Sequence, residues 1–395
     1  MEENKNKNVK KIIIGVGIAI ATIVVVVCFV IAYNNINLSN NQTNTITTDS
    51  SNSSKNSSSS SKTTTSNSKN LNITSGGSYD LSGEYESVTV NTSEDVILNL
   101  NGVEITNSNG PAINIEKAKK VTIAVSGTNK ITATTSEDLD GAIYSKADLV
   151  LEGTGSLEVK SNYDGIVSKD TLVIKNGTYT INSDDDGIRG KDSVEILDGT
   201  FTINAGGDGI KASNDEDLEL GYVSITGGTY NITAKSDGIQ GITKATISGG
   251  TFNIKSAEGI EATLIKIDDG TINIEASDDG INASKKSNIG TPTVEINGGN
   301  ITIKMGQGDT DAIDSNGNIY INGGTINITG NSPFDYEGTA EKNGGTIIVN
   351  GSETNTITNQ MMGGGMQGEM PGQMKQNGNM PNGGEMQMNG GRRGR

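Results

Sequence analysis

A phrase of the form Gly-Thr-aromatic-x-Ile returns through the middle of this chain as NGTYTINSDDDGI, DGTFTINAGGDGI, GGTYNITAKSDGI, GGTFNIKSAEGI and DGTINIEASDDGI. Each copy closes on an acidic residue followed by Gly-Ile. The closing glycines fall at 165, 187, 209, 238, 259 and 280; with Gly141 upstream, the step is 21 to 24 residues apart from one interval of 29. Every unit holds three short alternating segments between turn residues: one through Tyr179 and Ile181, one through Ile188 and one ending at Ile196. A period near 22 with three strands and no helical spacing predicts one coil of a parallel β-helix per unit. The expected fold is all-β, a right-handed parallel β-helix over residues 71–355, the hand following from strand chirality.

Stacked coils turn sequence positions into columns. Tyr179, Phe201, Tyr230, Phe252, Ile272 and Ile326 form one, and Ile188, Ile210, Ile239, Ile260, Ile281 and Ile313 another. Their alternate neighbours are Thr or Asn, so the apolar columns point inward. The aromatic stripe reads as core stacking in preference to a sugar platform. Tyr144, Tyr163 and Tyr336 fall outside the columns, near the acidic turns.

The acidic turn makes a third column: Asp140, Asp164, Asp186, Asp208, Asp237, Glu258, Asp279, Asp311 and Asp335. At a rung spacing of about 4.8 Å and an effective dielectric near 20, neighbouring fixed charges repel by roughly 3 kcal/mol. Asp before Gly suits a tight turn, which accounts for one carboxylate per coil but not for the additional Asp184, Asp185 and Asp278. Crowded oxygens are what a hard divalent cation requires, so Ca²⁺ is the expected cofactor. Its candidate ligands are Asp164, Asp184, Asp185, Asp186, Asp208, Asp237, Glu258, Asp278 and Asp279.

Arg189 and Lys211 follow Asp-Gly-Ile in adjacent coils and should sit side by side against the acidic column. They either hold an anionic sugar beside a metal bridge or neutralise the aspartates. Tyr163 and Lys235 complete the expected polysaccharide-contacting set. From Ile210 to Ile225 and from Ile281 to Ile296 the separation is 15 residues, where other coils have 7 or 8. Two loops of equal excess therefore leave one corner three rungs apart, about 14 Å. They are expected to wall a groove over the coils of Asp237 and Glu258, with SNDED at 213–217 on one lip.

Composition narrows the partners. A net charge of −17 disfavours nucleic acid, and a polyanionic ligand would need a bridging metal. The absence of histidine removes His-based acid/base chemistry, His-ligated zinc and His-containing triads. The lone Cys28 lies in an apolar run, residues 12–33, that follows Lys5, Lys7, Lys10 and Lys11 and is long enough to span a bilayer with its basic flank inside. A cleaved signal peptide is the rival reading. Residues 34–70 are an Asn/Ser/Thr-rich spacer that, fully stretched at about 3.3 Å per residue, reaches roughly 120 Å. Residues 356–395 form a Gly/Met/Gln-rich tail, read as disordered, with copper(I) on methionine sulfur as the alternative. The expected molecule is a monomer with residues 1–33 as basic flank and anchor, its solenoid outside the membrane in the cell wall, or secreted if the anchor is cleaved.

The reiterated GGTFNI and SDGI phrases resemble those of extracellular bacterial carbohydrate-binding β-helix proteins of cellulose-degrading clostridia, which are similar in fold to pectate lyases. The resemblance covers roughly residues 71–355. It implies calcium within the helix and binding of cellulose-like and acidic pectic polysaccharide without established catalysis. Only the Asp-Gly turn residues carry over one by one. Three function classes follow: a wall-associated carbohydrate-binding protein, a calcium-dependent pectate lyase with Arg189 or Lys211 as base, and a structural stalk or adhesin.

Overall fold

The computed structural model describes residues 62–63, 69–306 and 310–359. Among them every regular element is a strand, and the strands stack in parallel as a solenoid of three faces. The first face contains Thr171–Ile174, Ser193–Ile196, Tyr222–Ile225, Lys244–Ile247, Leu264–Ile267 and Thr293–Ile296, each paired in parallel with the next. The second contains Thr178–Ser183, Thr200–Ala205, Thr229–Ala234, Thr251–Ser256, Thr271–Ala276 and Asn300–Met305. The third is built of shorter strands, Asp164–Ser168, Ile188–Gly190, Ile210–Ala212, Asp237–Gly241, Glu258–Ala262 and Ile281–Ala283. The sequence repeat is thus a parallel β-helix, one coil per unit.

Alternation along each strand sends the apolar columns inward. On the second face the burial of Thr200–Ala205 alternates exposed and buried, with Phe201 and Ile203 inside. Tyr179, Phe201, Tyr230 and Phe252 stack with ring centroids 5.2, 4.8 and 4.5 Å apart. The two tyrosines keep their hydroxyls satisfied at the corner, donating to Asn176 O at 2.8 Å and to Gly227 O at 2.7 Å. The aromatic stripe is therefore core. The isoleucine column of the third face is in register from Ile166 to Ile313 and ends against Phe334.

Two glycines of the repeat serve different purposes. Gly199 has φ 141°, a left-handed bend into the aromatic strand that a side chain would strain. Gly187, after the acidic residue, is needed for space: a Cβ there would lie 2.5 Å from Ile203 Cγ2 and 2.6 Å from Gly209 O of the next coil. Its recurrence from Gly165 to Gly280 reflects close packing between coils, with Ala142 and Ala312 at the same place in the flanking coils.

At the C-terminal end Thr346–Val349 pairs antiparallel with Ser352–Thr354. Ile357 then packs against the core, and Asn359 Nδ2 donates to Tyr336 O at 2.7 Å. The expected membrane segment at 12–33, most of the 34–70 spacer and the tail from 360 onward lie outside the described residues. Among the described residues no helix is long and apolar enough to cross a membrane.

Candidate functional site

The acidic column lies at the entrance to the third face, where each coil turns off the second. At several rungs the amide of a column residue takes the carboxylate of the coil before it as its acceptor. Asp164 Oδ1 accepts from Asp186 N at 2.9 Å, Asp186 Oδ1 from Asp208 N at 2.8 Å, and Asp208 Oδ1 from Asp237 N at 2.9 Å. Asp279 does the same for Asp311 N at 3.0 Å. The carboxylates are consequently buried, Asp164 at 1% and Asp208 at 2% exposure. This burial makes the handling of their charge decisive.

In the N-terminal half the charge is neutralised by the chain itself. Arg189 Nε donates to Asp164 Oδ2 at 2.7 Å, and its Nη2 also reaches Asp140. Lys211 Nζ lies 2.7 Å from Asp208 and 3.4 Å from Asp186, and Lys169 Nζ lies 3.0 Å from Asp140. Burial works against both central cations, but the neighbouring carboxylates outweigh it: Asp164 and Asp140 raise the Arg189 pKa, and Asp186 and Asp208 raise that of Lys211. Arg189 and Lys211 are side by side in register, as expected, and both point into the column.

The C-terminal half is different. Asp237, Glu258 and Glu261 place one carboxylate oxygen each within 4.8 Å of one another. Around them are mostly neutral groups: Gln240 Nε2 donates to Asp237 and, at 3.3 Å, to Glu261, Asn282 Nδ2 donates to Glu258 at 3.1 Å, and Ser284 Oγ donates to Glu261 at 2.7 Å. Lys286 Nζ pairs with Glu261. Burial, then the charge of Glu261, pushes Glu258 up to about 7; burial and the charges of Asp208 and Glu261 push Asp237 upward as well. Asn282 is 8% exposed and its Oδ1 has no hydrogen-bond partner. Three crowded carboxylates beside a buried carbonyl oxygen fit the donor set of a hard cation such as Ca²⁺. Asp164, Asp185 and Asp186 also converge within 4.8 Å, but there Arg189 already sits on Asp164.

Asp184 and Asp278 are exposed on the turns and belong to neither trio. Asp279 lies one coil beyond the second trio, and burial, the largest influence, pushes it up to about 6. Tyr163 is half-buried just ahead of Asp164, and Tyr144 is buried under Lys169, whose Nζ lies 5.5 Å from the ring centroid. Asp140 and Asp335 do not share the turn column: Gly141 stands opposite Asp164, leaving Asp140 one residue earlier, and Ser332 stands opposite Asp311, with Asp335 opposite Asp314. The short strand Ser332–Tyr336 lacks the Asp-Gly-Ile phrase, and Phe334 takes the isoleucine place, which shifts Asp335 to the position after it.

That position is a second polar column, running Arg189, Lys211, Gln240, Glu261, Asn282, Asp314 and Asp335. The sequence reading takes its first two members and misses Glu261, which completes the trio. Following the residue after Asp-Gly-Ile two coils further reaches it. The inserted loops at 213–221 and 284–292 leave the expected corner. The second folds back over the site, with Ser287 N bonded to Thr263 Oγ1 at 2.9 Å and Lys286 on Glu261. Lys235 is exposed on the corner toward the second face.

A parallel β-solenoid with a buried carboxylate ladder, self-neutralised in one half and gathered into a trio in the other, defines a structural class. Within it, the family model for carbohydrate-binding domain-containing proteins matches residues 67–329 and 259–370, and the chain belongs to that family. A relative described as a carbohydrate-binding domain-containing protein of Acetivibrio thermocellus is 30% identical over 122 residues, 27% of this chain. The match spans 43% of that relative's length. A solved structure of a polysaccharide lyase-like protein from C. thermocellum, a gadolinium derivative, is 31% identical. It aligns over 53% of this chain and 89% of its own with a TM-score of 0.42.

Proposed function

We propose that this chain is a cell-surface protein that binds acidic plant cell-wall polysaccharide with the help of Ca²⁺ and does not cleave it. The observation that carries the reading is the Asp237–Glu258–Glu261 trio. It is the stretch of the acidic column where three carboxylates meet one ammonium, with the unbonded Asn282 Oδ1 alongside. Asp237, Glu258, Glu261 and Asn282 would hold the ion, and the bound cation would supply a bridge between the acidic protein and uronate carboxylates. The anchor and spacer expected at 1–70 would carry the solenoid out from the membrane. A lyase would need a neutral base, whereas Arg189 and Lys211 are held charged by their carboxylate partners.

Calorimetric titration of the chain with Ca²⁺, followed by polygalacturonate binding with and without a chelator, tests this reading. Saturable Ca²⁺ binding that Glu258→Gln with Glu261→Gln abolishes, and pectate binding that it strengthens, are expected. Pectate binding indifferent to Ca²⁺ would remove the bridge, and unsaturated products absorbing in the ultraviolet would make the protein a lyase.

A further inference from the structure

The outward side of the second face carries its own ladders. Asn253 Nδ2 donates to Asn231 Oδ1 at 3.0 Å, and Asn273 Nδ2 donates to Asn253 Oδ1 at 3.1 Å. An amide in such a ladder uses one N–H and one lone pair on its neighbours and presents the rest to solvent. The next outward column runs Thr233, Lys255, Glu275, Lys304, and Lys235 lies just past its first member. Two hollows of ≈ 420 and ≈ 500 Å³ lie on either side of this column and are both lined by Thr233, Lys255, Glu275 and Lys304. The second is floored by Ala257, Ala276 and Met305.

The charge here runs against that of the molecule. The chain carries −17, yet Lys235, Lys255 and Lys304 line the hollows against Glu275 alone. Lys255 Nζ pairs with Glu275 Oε1 at 3.1 Å, so the excess positive charge is that of Lys235 and Lys304. A pyranose offers hydroxyls at its rim and C–H groups on its faces, so it matches a surface of spare amide groups beside an apolar floor. The rungs repeat at about 4.8 Å, close to the length of one unit in an extended polysaccharide, so a chain laid along the coil axis can set successive sugars against successive rungs of the asparagine ladder. The ammonium groups select a chain bearing carboxylates.

We propose that these hollows form a second polysaccharide-binding surface, for a uronate-bearing chain held along the coil axis by Lys235, Lys255, Lys304 and the Asn231–Asn253–Asn273 ladder without a metal ion. The inference rests on the carbohydrate-binding reading above but not on its calcium bridge.

The test is binding of polygalacturonate oligomers to the full chain in excess chelator at low salt, with a neutral glucan as control. Binding that persists, weakens with added salt, and falls roughly tenfold or more, about 1.4 kcal/mol, in Lys235→Gln/Lys255→Gln/Lys304→Gln is expected. Glu258→Gln with Glu261→Gln should leave this chelator-resistant binding intact. Circular dichroism and melting of the lysine variant separate a lost site from a lost fold, and Asn253→Ala gives an independent arm that should also weaken binding. Binding seen only with Ca²⁺ would overturn this inference and leave the calcium reading standing. Chelator-resistant binding that neither the lysine variant nor Asn253→Ala alters would overturn it too, as would equal loss of neutral glucan. Binding of no polysaccharide under any condition would overturn both.

Discussion

Arg189 donates from Nε to Oδ2 of Asp164 in the coil before its own, at 2.7 Å, and the same guanidinium extends to Asp140 one coil further back. One side chain thus ties three coils together through their buried carboxylates. Burial already pushes Asp164 up to about 7 against the pull of Arg189, so Arg189→Met should leave it buried without its cation, with a loss of about 3 to 5 kcal/mol read as a lower urea midpoint. Adding Asp164→Asn should recover part of that loss. If the single variant unfolds at the same urea concentration as the parent, the guanidinium is not what neutralises this half of the ladder.

The trio of Asp237, Glu258 and Glu261 should respond in the opposite sense. Glu258→Gln with Glu261→Gln removes like charges that share one ammonium, so the variant should melt higher than the parent in chelator. Ca²⁺ should raise the melting temperature of the parent through ligand linkage and leave that of the variant unchanged. An equal response of parent and variant to Ca²⁺ would place the ion elsewhere.

The absence of histidine makes the pH dependence unusually simple to read. Burial raises Glu258 to about 7, Asp314 to about 7 and Asp279 to about 6, each above its ordinary carboxylate value. A raised folded pKa means that the folded chain holds protons the unfolded chain has released. The resulting stability is complete below the ordinary carboxylate range and is lost as pH rises through 6 to 7. The protein in chelator should therefore melt higher at about pH 5 than at about pH 8, and saturating Ca²⁺ should narrow the difference. A melting temperature that rises across this interval would show that the carboxylates are ionised and paired in the native state.

Close packing at the repeat glycines separates two substitutions that look alike on paper. A Cβ on Gly209 would meet Ile232 Cγ2 at 2.5 Å and Gly238 O at 2.6 Å, whereas one on Gly290 would meet nothing within 4 Å. Gly209→Ala should cost about 1 to 3 kcal/mol as overpacking between coils, with Gly290→Ala within about 0.5 kcal/mol of the parent. Similar melting temperatures for the two variants would argue against the fit of coil on coil described here.

The solenoid was legible because its signal is repeated. Each inward Ile or aromatic restates the same period, and an error at one unit is corrected by the next. The aromatic stack from Tyr179 to Phe252 and the pairing of Arg189 with Lys211 follow from that period alone. The division of the acidic column into two halves does not. It depends on the residue after Asp-Gly-Ile, which changes from Arg189 and Lys211 to Gln240 and Glu261 while the carboxylates beside it stay acidic. Asp335 was misplaced for a related reason: where the phrase decays, counting from a motif loses register by the few positions that separate two columns. The hollows beside Lys255 and Lys304 were not legible either, since they depend on how residues from four strands meet on a curved outer face.

The backward turn at Ser352–Thr354 has a consequence for assembly. A stack of parallel strands ends in a row of open peptide groups, which invites the first coil of another molecule to continue the stack. By running antiparallel against Thr346–Val349, this short strand occupies that edge with the wrong polarity for continuation. Ile357 packs against the core beside it, and Asn359 bonds the carbonyl of Tyr336 at the edge of the third face. On this face the last coil is thereby closed to continuation by another stack of parallel strands.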